Sequence, residues 1–97
     1  MSTPKSPDTN IARLLLLLTP AEFRVLTLLS QGMPSREIAD RLATTIHTVR
    51  RHREHLVAKL GLKGRGQDAL LFYALTLGST LLPYVDDLID PKKGRNA

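Results

Sequence analysis

Arg50 and Arg51 stand side by side, and with His47 and Glu54 they keep the spacing i, i+3, i+4, i+7. On a helix that spacing gathers four polar side chains into one stripe. Arginine carries a planar fork that bonds two acceptors on a guanine edge, or grips a phosphate. The stripe therefore suits recognition of a polyanion, by its bases, its backbone or both.

Other chemistries lack parts. There is no cysteine, hence no disulfide framework and no thiol nucleophile. No phosphate-binding glycine loop, dinucleotide turn or serine–histidine–aspartate set is visible, so no enzyme is expected. Of the three histidines, His52 and His55 form the one close pair, and no Cys or Asp clusters with them. No metal and no cofactor are expected. Asp86 and Asp87 read as a solvated acidic pair.

The polar stripe needs a helix with an apolar back. Val49, His52, Leu56 and Leu60 supply it, while Thr48, His55 and Lys59 share one flank. Thr45 is the expected N-cap and Gly61 the end, giving a helix over 46–60. A shorter helix should precede it from Arg36 to Ala43, with Ile38, Ala39 and Leu42 inward. Two helices across so tight a turn form a helix-turn-helix pair, although this turn has no glycine.

Upstream, Thr19-Pro20-Ala21-Glu22 is a capping box with proline at the first helical position. Its helix carries Val25, Leu26, Leu28 and Leu29 and stops at Gly32. Asn10 is expected to cap a short helix from Ile11 to Leu18, after a disordered arm over 1–9. A further helix should run from near Gln67 to Leu77, with Gly78-Ser79 interrupting it. Thr80 to Asp90 should hold a last short helix, disturbed at Pro83. Residues 91–97 read as a polar tail. There is no convincing strand and no repeat, so the fold class is all-α.

Charge is unevenly spread. From Arg41 to Arg65, seven Lys or Arg face only Glu54, a local +6; from Gly66 to Pro91, four aspartates stand with no Lys or Arg, a local −4. The whole chain of 97 residues carries +5. The cationic segment points to a polyanionic partner. The length fits one small domain with a modest core, which oligomerisation would enlarge. Apolar runs such as Leu14 to Leu18 are far short of the roughly 20 residues that span a bilayer. No membrane association is expected, and the cytoplasm, at the nucleoid, is the expected location.

These segments together resemble the LuxR-type (GerE-type) DNA-binding domain. Leu18-Thr19-Pro20-Ala21-Glu22, Val25-Leu26 and Gln31-Gly32 are similar to its opening. Glu37-Ile38-Ala39-x-x-Leu42, Thr48-Val49-x-x-His52, Lys59-Leu60-Gly61 and Arg65-x-Gln67 continue it in order. The resemblance implies a four-helix domain over 18–77, here with helical extensions over 1–17 and 78–97. It implies sequence-specific binding to double-stranded promoter DNA, and regulation of transcription. By the same resemblance, Arg50, Arg51 and Glu54 fall where bases are read, and Ser35, Arg36 and Thr48 where phosphates are held. Thr45, Ile46 and His47 at the helix start, with His55 and Lys59 on the flank, complete the expected DNA-facing set. Ile46 would touch a thymine methyl or turn into the core. Thr44 replaces an apolar residue and Pro34 a capping one.

The resemblance also implies dimerisation through the fourth helix. That helix is apolar nearly all round, which leaves Leu70, Leu71, Tyr73, Ala74 and Leu77 as the expected homodimer face. The competing expectation is that Leu14–Leu18 or Leu81–Ile89 folds over it within one chain. The segment before the motif is too short for a receiver or ligand domain, so a stand-alone regulator is expected. A second function keeps the fold but binds RNA polymerase or another regulator as an interaction module.

Overall fold

The computed structural model describes residues 7–66 and 68–89, which form six helices and no strand. Helix α1 spans Pro7–Leu17, α2 Pro20–Leu29, α3 Ser35–Arg41, α4 Ile46–Lys59, α5 Ala69–Thr76 and α6 Gly78–Ile89. Part of the expected arm and the polar tail lie outside the described residues. The all-α expectation holds. No helix among the described residues is long and apolar enough to cross a membrane.

Helix α2 is the centre. Val25, Leu26, Leu28 and Leu29 are buried almost completely, and α3, α4, α5 and α6 all pack on it. Its start is the expected capping box: Thr19 Oγ1 accepts from the Glu22 N–H at 3.1 Å, and Glu22 Oε1 accepts from the Thr19 N–H at 3.0 Å.

Three helices end in the same motif. The N–H of Met33 reaches the Leu28 carbonyl and that of Gly32 the Leu29 carbonyl. Leu62 with Val57 and Gly61 with Ala58 repeat the pattern after α4, and Thr44 with Ala39 and Ala43 with Asp40 repeat it after α3. This Schellman arrangement needs a left-handed residue past the helix end. Gly32 (φ 81°) and Gly61 (φ 70°) supply it at no steric cost, whereas after α3 the residue is Ala43 (φ 54°). The glycine-free turn is therefore built at a strained alanine.

Several boundaries differ from expectation: α3 spans Ser35–Arg41 and leaves Ala43 to the left-handed position, α4 ends at Lys59 and α5 starts at Ala69. Helix α1 begins at Pro7 rather than after Asn10, since proline's fixed φ suits a first helical position. Gly78 starts α6 instead of interrupting α5, and the break is confined to Leu77. A Cβ on Gly78 would lie 3.3 Å from the Ser30 carbonyl oxygen, and the Gln31 amide donates to the Gly78 carbonyl at 3.2 Å. Any side chain at 78 would crowd the end of α2 by a few tenths of an ångström, so glycine eases the seating of the α5–α6 junction there. Helix α6 then runs through Pro83. Leu81 is fully buried, and Tyr84 meets Phe23 edge-on at 5.4 Å, so packing offsets the one lost backbone bond.

The extensions join the main core. Ile11, Leu14 and Leu18 of the first segment and Leu81 of the last share one buried cluster with α2–α5.

Candidate nucleic-acid interface

Helix α4 has the two faces its sequence demands. Val49 and Leu56 are fully buried, with Leu60 and Val57 partly buried beside them. Opposite, His47, Arg50, Arg51 and Glu54 are all exposed. The helix start is ordered by Thr45, whose hydroxyl oxygen accepts from the Thr48 N–H and donates to the Thr48 hydroxyl, both at 3.1 Å. Thr48 is half-buried. Ile46 is also half-buried and packs on the core.

Helix α3 meets α4 at the site. Its N-cap position is Pro34, with no side-chain cap. Ser35 is held from the partner helix instead: Arg53 Nη1 donates to Ser35 Oγ at 3.0 Å. Burial lowers the pKa of Arg53, and the nearby Asp68 carboxylate partly offsets this. An arginine remains a cation even so. Arg53 was not among the expected site residues, because its wheel position borders the core stripe. The signal lay in its place three residues after Arg50, which puts one basic residue at the rim of the same side. Arg36 is exposed at the start of α3.

The flank residues do something else. Glu22 is buried, and its carboxylate receives Lys59 Nζ at 2.7 Å on Oε1 and faces His55 Nδ1 at 3.4 Å on Oε2. Burial alone would raise the Glu22 pKa. Hydrogen bonds from Lys59 and from the Thr19 backbone and side chain, with the Lys59 charge, outweigh that and hold it below its ordinary value. His55 and Lys59, expected in the DNA-facing set, are turned onto a carboxylate of their own chain.

The same junction holds a grouping that the sequence hides. Donor atoms of Glu22, His52 and His55 lie within 4.8 Å of one another. Glu54, the acidic neighbour in sequence, stands on the exposed face, and the carboxylate of the group is the one the fold brings from α2. In addition, the buried Nδ1 of His52 has no hydrogen-bond partner among the described residues.

On α5, Leu70 and Ala74 are core residues, 2% and 0% exposed, so two of the five expected dimer-face residues belong to the chain's own interior. The 3.6-residue period turns both inward together. Leu71, Tyr73 and Leu77 are half-buried, while Phe72 (64%) and Leu75 (46%) stand out to solvent. Helix α6 meets α5 at their junction and packs more extensively on α2.

A short helix, a tight turn and a longer helix with a cationic outer face define a helix-turn-helix DNA-binding protein. Comparison with known proteins gives the family. The model for bacterial regulatory proteins of the luxR family matches residues 16–72, more than half of the chain, and the chain belongs to that family. Among curated proteins it is similar to the oxygen regulatory protein NreC of Staphylococcus aureus strains JH9, JH1 and Mu3. Each is 37% identical over 59 residues, covering 61% of this chain and 26% of the relative. The chain thus spans about a quarter of the length of these relatives. No solved structure gives a significant match. Membership and similarity together support DNA-binding transcription regulation.

Proposed function

We propose that the protein is a homodimer that reads a specific double-stranded DNA sequence with α4 in the major groove. The observation that carries this reading is the exposed His47, Arg50, Arg51 and Glu54 stripe directly behind fully buried Val49 and Leu56. A helix fixed on one face and carrying two guanidinium forks on the other offers base-edge contacts. Arg50, Arg51 and Glu54 are the base readers. Thr45, Thr48, Ser35 and Arg36 hold phosphates, with Arg53 positioning Ser35. His55, Lys59 and Ile46 stay outside this footprint, because their side chains are engaged within the chain.

The homodimer face runs through exposed Phe72 and Leu75 with half-buried Leu71. Two copies would set their recognition helices about 34 Å apart on a partly palindromic site. The oxygen response in the relatives' name is not carried over, since the shared segment is a small part of them.

Selection of bound sites from random duplex DNA, with affinity at two salt concentrations, tests the proposal. A partly palindromic motif with salt-dependent affinity is the expected result. Salt-dependent binding without an enriched motif would refute sequence reading. Absence of binding would favour the interaction module that contacts RNA polymerase or another regulator.

A further inference from the structure

We propose that Glu22, His52 and His55 form a binding site for a divalent transition cation of the zinc class, where α2 crosses α4. The donors are the right kind. Two imidazole nitrogens and one carboxylate oxygen suit a borderline cation, and three protein ligands leave a fourth position for water. The spacing is close to what such an ion needs. Bonds of about 2.0–2.2 Å in a tetrahedron put donor atoms about 3.4 Å apart. The three donors here lie within 4.8 Å of one another, and the His55 and Glu22 atoms are already at 3.4 Å.

The site can close without disturbing the core. The side chain of His55 is 54% exposed and its ring is free to turn. His52 sits one turn back on the same helix, and its imidazole carries the buried Nδ1 that no group among the described residues satisfies. Buried polar atoms are nearly always partnered, so this unpaired one marks a ring with bonding capacity to spare. Glu22 needs no rearrangement, because its capping and Lys59 bonds use Oε1 and leave Oε2 toward His55. Lys59 contributes a positive charge next to the ion, which holds the affinity below that of a site with no cation beside it. A bound ion would tie the first turn of α2 to the middle of the recognition helix.

The test is titration of the tag-free full-length protein with Zn²⁺, and with Co²⁺ as a coloured probe, for the wild type, His55→Ala and His47→Ala. Circular dichroism confirms that each variant is folded. Loss of an outer-shell group already weakens metal sites about 10–100-fold, so removing the His55 ligand should cost at least about tenfold. We expect one Zn²⁺ per chain, a higher Tm with Zn²⁺ and visible Co²⁺ bands in the wild type and His47→Ala. All three should be lost or weakened by that factor in His55→Ala. No saturable binding to the wild type, equal binding to His55→Ala, or an equal loss in His47→Ala would each overturn the site.

Discussion

Replacing Ala43 by glycine should stabilise the protein. Ala43 holds the left-handed position between α3 and α4 at φ 54°, where a Cβ costs about 1–2 kcal/mol. Glycine removes that strain and keeps both backbone bonds of the motif, Ala43 N–H to Asp40 and Thr44 N–H to Ala39. Ala43 is exposed, so losing its methyl sacrifices little burial. Against the gain stands the greater freedom of glycine in the unfolded chain, about 0.4–1 kcal/mol. The difference spans about 0–1.6 kcal/mol and centres on about 0.8 kcal/mol of net stabilisation. With a urea m-value of about 1 kcal/mol per molar for so small a domain, the midpoint should rise by about 0.5–1 M with no change in slope. Tm should rise by about 3–6 °C. Ala43→Val should shift both the other way, because a β-branched residue fits this region worst. Urea unfolding followed by circular dichroism reads all three proteins. An unchanged or lower midpoint for Ala43→Gly would refute the claim that the turn is strained.

Further outcomes follow from the site and its support. Arg50→Ala should cost about 1–3 kcal/mol at a selected DNA site and relax base preference at one position, read by competition binding. Lys59→Met leaves a buried carboxylate without its strongest partner and should destabilise the fold by about 1–3 kcal/mol in urea, discounted for the lysine's partial exposure. The folded pKa of Glu22 lies below its unfolded value, so between the two the unfolded chain binds more protons. Its contribution is complete above the ordinary carboxylate range and is lost as pH falls through the lowered value. Glu22→Gln should therefore flatten the acid limb of a stability-against-pH curve.

Local rules were legible from residue types. The Thr19–Glu22 box and the Thr45 cap are short-range hydrogen bonds, and a spacing of three residues encodes them. The two faces of α4 follow from its period, and Val49 and Leu56 lie where that period puts them. What the sequence hid is long-range. Glu22 meets Lys59 and His55 only because α2 crosses α4, and nothing local to any of them announces it. The inward turn of Leu70 and Ala74 was hidden for another reason. On a helix apolar all round, the period cannot say which side is core, and the packing of α5 against α2, α4 and α6 decides it. Pro83 likewise reads as a breaker until Leu81 and Tyr84 are seen to be anchored.

The shared interior of the extensions bears on how this DNA reader can be transplanted. A graft cut at residues 18 and 77, where family resemblance draws its borders, would remove Ile11, Leu14 and Leu81 from a single apolar cluster and leave holes where each had been. A working chimera must carry its flanks, from α1 through at least Tyr84. The interchangeable unit in this chain is larger than the motif that names it.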